Sequence, residues 1–174
     1  MKQFLERSAV AAALCWLLYL AFSGQAMQQG QFVAFEAAGL MNGPPDGVGE
    51  VMLVRSALRR VLARQAATGW TLDGRSVAPA LMPRLALALK FLHTARPLRQ
   101  LGQLDEDPGY GFSDASALRV SVVQQAGQPP LELVFGKPGA DATTQYVADE
   151  RSRTVWLMSR FVGEEWEAVW DGVR

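Results

Sequence analysis

The sequence predicts an α+β domain: an antiparallel β-meander packed by one main helix and a short C-terminal helix, preceded by one N-terminal transmembrane helix. Three observations predict it. An uncharged apolar run, Ala9 to Phe22, follows Lys2 and Arg7. A stripe of Leu81, Leu85, Ala88 and Leu92 keeps the 3.6-residue period of a core-packing helix. From Leu118 onward the apolar period falls to two, the signature of strands with one buried face.

The N-terminal run comes first. Counted from Ser8 to Gly24 it makes a helix of about 25 Å, at the short end for a hydrocarbon core of about 30 Å. No Lys or Arg follows Arg7 until Arg55. Basic residues stay on the cytoplasmic side, so residues 1–7 are read as cytoplasmic, 8–24 as an inner-membrane anchor and the remainder as periplasmic. A cleaved signal peptide is the alternative, because Gly24-Gln25-Ala26 offers small residues where a signal peptidase reads them. Trp16 and Tyr19, bulky rings within the run, favour retention. Cys15 follows Leu14 where a lipid-attachment motif wants a small residue, so it reads as an inert thiol in the membrane.

Residues 25–47 are rich in Gln, Gly, Ala and Pro and end in Met41-Asn42-Gly43-Pro44-Pro45-Asp46-Gly47, the composition of a linker. The domain is placed at 48–174. Glu50 to Ser56 and Arg59 to Gln65 read either as two strands leading into Gly69-Trp70-Thr71-Leu72 or as one helix, since Val51, Val54, Leu58 and Val61 also keep a helical spacing. The clear helix starts near Leu81 and Met82, where Pro83 is tolerated in the first turn, and ends before Pro97. Gly102 to Gly111 is a loop of turn formers. Strands follow at Leu118 to Val123, Leu131 to Phe135, Thr143 to Ala148 and Thr154 to Met158, separated by Gly-, Pro- and Asp-bearing turns. Glu164 and Glu165 open a C-terminal helix with Val162, Trp166, Val169 and Trp170 at helical spacing.

The order of Glu50-Val-Met-Leu-Val, Gly69-Trp-Thr-Leu, Leu89-Lys-Phe-Leu92, Tyr110-Gly-Phe112, Val134-Phe-Gly-Lys-Pro, Gln145-Tyr-Val and Val155-Trp-Leu-Met resembles the bacterial domain of unknown function 4340, in a short single-domain form. The resemblance implies an α+β domain outside the membrane behind an N-terminal helix, with 50–65 as two strands. It also implies an accessory role in a membrane assembly, and it carries over no catalytic residues.

Composition narrows the function. The chain is formally neutral, so no basic field exists to hold nucleic acid. His93 is the only histidine, which excludes a histidine-pair metal site and a relay with a second imidazole. Phe135-Gly-Lys-Pro-Gly lacks the earlier glycine of a phosphate loop, position 131 being Leu, and reads as a hairpin turn. Asp105-Glu106-Asp107 lacks the glycine-centred loop and closing Glu of a calcium site. No serine sits in Gly-x-Ser-x-Gly. Arg55, Arg59, Arg60 and Arg64 are read as a solvated sheet face, with Arg55 and Arg59 on one side and Arg60 and Arg64 on the other.

No catalytic, cofactor or metal residue is therefore assigned. The expected function is that of a non-catalytic, membrane-anchored periplasmic accessory protein of a bacterial envelope complex, bound to a membrane or envelope protein. Trp166 and Trp170 on the terminal helix are the candidate partner contacts. The alternative is a periplasmic small-molecule or lipid-binding domain with a pocket lined by Leu85, Leu89 and Phe135.

Overall fold

A computed structural model of the chain describes residues 39–65, 69–104, 109–124 and 127–174. The expected anchor, most of the expected linker, and Asp105-Glu106-Asp107 lie outside the described residues. Nine strands form one sheet: β1 Val48–Arg55, β2 Leu58–Gln65, β3 Gly69–Leu72, β4 Arg75–Ser76, β5 Arg99–Gln103, β6 Leu118–Gln124, β7 Leu131–Pro138, β8 Thr144–Asp149 and β9 Thr154–Ser159. Their order is β4-β3-β2-β1-β6-β7-β8-β9-β5, and every pairing is antiparallel. Among the described residues two α-helices, α1 Met82–Thr94 and α2 Arg160–Val173, complete an α+β domain.

Residues 50–65 are strands, as the family resemblance implies. Val51 and Leu53 are buried while Glu50, Met52 and Val54 are only partly so, a period of two that a single long helix would not show. The 118–158 segment is a meander joined through turns, and β6 then returns to pair with β1. Strand β5 falls where the sequence suggests only the approach to a loop. Its Arg-Gln-Leu-Gly-Gln has little β propensity, and it holds its place by pairing with β9 across a bulge between Gln100 and Gly102.

Both helices lie on one face of the sheet, running antiparallel to each other: Arg84 reaches Glu165 while Phe91 meets Phe161. Leu81, Leu85, Ala88, Leu89 and Leu92 of the α1 stripe join Val162, Trp166, Val169, Trp170 and Val173 of α2 over Val51, Leu53, Leu62, Val120, Val122, Leu133, Phe135 and Val147. On the other face a smaller cluster, Phe112, Ala117, Val134, Ala148 and Val155, sits under Tyr110 and Tyr146. Helix α2 begins at Arg160, four residues before the expected start at Glu164.

Residues 39–47 are not free linker. Met41 is 1 % exposed within the helix-side core. The amides of Gly39 and Met41 donate to the carbonyls of His93 (3.0 Å) and Leu92 (2.9 Å), two of the acceptors that the end of α1 leaves without helical partners. The packed unit thus begins upstream of Val48. Among the described residues no helix is long and apolar enough to cross a membrane.

Candidate functional site

The β1–β2 hairpin determines where the arginines go. Its turn holds two residues, Ser56 and Ala57, so Arg55 pairs with Leu58 and odd positions on β1 share a face with even positions on β2. Leu53 and Leu62 therefore point to the helices together, and so do Arg55, Arg60 and Arg64; Arg59 alone points away. This corrects the expected grouping of Arg55 with Arg59. The physical reason is that the turn reverses the parity of the alternation.

The three inward arginines are engaged. The Arg55 guanidinium pairs with Glu167 and lies 5.4 Å over the Trp170 ring. Arg60 donates from Nε to the Val173 carbonyl (2.9 Å) and sits 3.7 Å from Asp73. Arg64 donates to the Asp46 carbonyl (2.6 Å) and covers Trp70 at 5.1 Å. Each spreads its apolar stem and flat head over the rim of the core, as long amphipathic side chains do.

Beside Arg55 opens a polar cleft of about 370 Å³, walled by Asp114, Lys137, Gln145, Arg160, Glu164 and Glu167. Its groups come from β1, the 111–117 loop, the end of β7, β8 and the first turns of α2. Lys137 pairs with Asp114 at 3.4 Å, and Arg160 with Glu164 at 3.0 Å. Gln145 donates from Nε2 to the Gly136 carbonyl at 2.9 Å. Its Oε1 lies so close to Gly163 that a Cβ there would stand 1.8 Å away, so helix and amide meet because residue 163 has no side chain. The cleft holds three cations and three carboxylates, each bound to its opposite. No signal in the sequence could assemble it, since its members are scattered over residues 55–167.

The expected partner contacts are placed elsewhere. Trp166 and Trp170 are 0 % and 2 % exposed, so neither offers a side chain to a partner. The correction has a packing cause: α2 is a second core helix laid along α1, and its apolar stripe faces the sheet. Trp166 Nε1 and Arg55 Nε are buried without a hydrogen-bond partner, atoms held in place by the packing around them. The exposed aromatic of α2 is instead Phe161, 44 % exposed and edge-on to Phe91 with ring centroids 4.7 Å apart.

The other sequence candidates also resolve. His93 Nδ1 lies 3.2 Å from the Met41 carbonyl, a structural contact at the end of α1. Gly136 and Lys137 lie in β7, and the Lys137 amide donates to the Tyr110 carbonyl at 2.8 Å, which leaves no phosphate-cradling loop there. The turn after β7 is built on Asp141, whose Oδ1 accepts from the Thr144 hydroxyl (2.6 Å) and from the Thr143 and Thr144 amides (3.1 Å each). The Thr144 hydroxyl, with help from those amides, holds the Asp141 carboxyl below its ordinary range. Leu85, Leu89 and Phe135, the lining expected of a ligand pocket, are buried in the core cluster. Among the described residues no group of three or more His, Cys, Asp or Glu is placed to hold a metal ion.

No family model matches the chain, and no curated protein or solved structure matches it either.

Proposed function

We propose that this chain is a membrane-anchored accessory protein of a bacterial envelope complex, acting by contact and not by catalysis. One observation carries the reading: in the polar cleft every cation is already held by a carboxylate of the same chain. A site that does chemistry or captures a charged ligand needs groups left free to do so. Here the charges tie β1 to α2, the 111–117 loop to β7, and the first turn of α2 to itself, which is the work of a scaffold. The N-terminal charge asymmetry supplies the anchor and the side of the membrane. Partner binding then falls to exposed surface, and on the helix layer the exposed aromatic is Phe161.

Topology and contact are tested together. Alkaline phosphatase fused after Arg174 should be active in cells, and the mature protein should begin at Met1. A photo-crosslinking residue in place of Phe161 should trap a discrete membrane or envelope protein, whereas one in place of Arg151 should not. An inactive fusion would overturn the topology, and a mature N-terminus near Met27 would replace the anchored protein with a free periplasmic one.

A further inference from the structure

The sheet face away from the helices is covered only in part. Phe112, Tyr110 and their cluster cover it over β7, β8 and β9, while among the described residues no such cluster covers the β2, β1 and β6 portion. On that bare part the registers place nine side chains in a grid. One row is Arg59–Val54–Arg119, the middle row Val61–Met52–Ser121, and the last Ala63–Glu50–Val123. None of the nine is fully buried, and Val123 is 38 % exposed. A shallow hollow of about 130 Å³ lies over Met52, Val54, Ser121 and Glu132.

The grid is polarised. Arg119 is committed to Glu150 (3.1 Å) and to the Phe112 carbonyl (3.0 Å), whereas Arg59 has no ion pair among the described residues. Glu50 at the opposite end has none either. An occupant must therefore be apolar at its centre, negative over the arginine row and neutral or positive over the glutamate. A membrane surface does not meet that description, because headgroup attraction needs a basic field and this face carries an acid at one end. The face itself does meet it. Turned by half a rotation about an axis perpendicular to the strands through Met52, a second copy sets its Glu50 over Val54, between Arg59 and Arg119. Met52 then meets its own counterpart, and stacked sheets about 10 Å apart leave Arg and Glu long enough to touch.

We propose that the bare β2-β1-β6 face is a self-association surface, occupied by a second copy of this chain in an isologous, face-to-face pair. The inference does not depend on the accessory-protein reading. The same half-turn brings Glu132, which pairs in register with Ser121 beside Met52, opposite its own copy. Glu150, one strand further on at the same level, also faces its own copy but is already paired with Arg119, so the Glu132 meeting is the uncompensated one and weakens the pair.

Analytical ultracentrifugation of the full-length chain in mild detergent tests this. The wild type should be a reversible dimer that loosens as salt rises. Met52→Arg should weaken it by about a thousandfold, since a central truncation or charge costs roughly thirtyfold and symmetry applies it twice. Glu50→Arg should weaken it by at least about fivefold, Glu50→Arg with Arg59→Glu should recover most of that loss, and Glu132→Gln should tighten the pair. All these side chains reach solvent, and equal melting temperatures will confirm that the variants fold. A monomer at every concentration would overturn the proposal. So would a dimer unmoved by Met52→Arg, which places the contact elsewhere in the chain, or a double charge swap no tighter than the single.

Discussion

Met41→Ala distinguishes a packed strap from a linker. The Met41 side chain is 1 % exposed, in contact with the core that α1 and the sheet share. Removing a buried methionine side chain down to Ala costs about 2–5 kcal/mol, a large share of the roughly 5–15 kcal/mol that holds a domain together. At about 2–4 °C per kcal/mol for a domain near this size, the melting temperature should fall by about 4–20 °C. The backbone gives an independent check. A Cβ on Gly39 would lie 2.1 Å from the Leu92 carbonyl oxygen and 2.6 Å from the His93 carbonyl carbon, and no side-chain rotation relieves a clash with main chain. Gly39→Ala should therefore also destabilise, by displacing the two amides that cap α1. Asn42→Ala, an exposed neighbour, should stay within about 0.5 kcal/mol of the wild type. Differential scanning fluorimetry of the three variants suffices. If Met41→Ala and Gly39→Ala melt with Asn42→Ala, the segment is linker after all and the capping argument fails.

Leu85→Asp should unfold the domain or nearly so, because it buries an unpaired carboxylate beneath α1, whereas Lys90→Asp on the exposed side should melt close to the wild type. Trp170→Ala should cost about 3–5 kcal/mol by emptying a core site and removing the ring beneath Arg55; an unchanged melting temperature would mean that the ring is exposed and free to bind a partner. Asp141 should titrate below its ordinary value of 3.8 in a carboxyl-carbon NMR experiment, and Thr144→Ala should raise that midpoint. Because the folded state depresses this pKa, its contribution to stability is complete above the unfolded value and disappears as pH falls through the folded one. A midpoint unaffected by Thr144→Ala would remove the hydroxyl as the cause.

Periodic segments announce themselves because burial acts on every turn or every second residue. The α1 stripe at Leu81, Leu85, Ala88 and Leu92 and the alternations of β6 to β9 could thus be read directly. Residues 50–65 satisfy both periods, since Val, Leu and Arg recur there at spacings a helix also accepts, and the sequence pattern alone left both readings open. Strand β5 has almost no local signal and exists through its partner β9. Met41 was hidden by its neighbours: Asn42-Gly43-Pro44-Pro45 has the composition of linker, yet one methionine and two amides suffice to dock it. The fate of Trp170 turned on whether α2 lies over the core or stands apart from it, a tertiary fact that its amphipathic spacing leaves undecided. The polar cleft was illegible for a further reason, because its ion pairs join residues tens of positions apart and no spacing rule links them.

On the proposed function, this domain works by touching another protein. The most direct test is in-cell photo-crosslinking from Phe161 in the full-length chain, read beside native mass spectrometry of the same protein purified in mild detergent. One discrete crosslinked envelope protein and a purified chain that carries no small molecule are expected. A chain that copurifies with a stoichiometric small ligand, or turns one over, while Phe161 traps no partner would contradict that function.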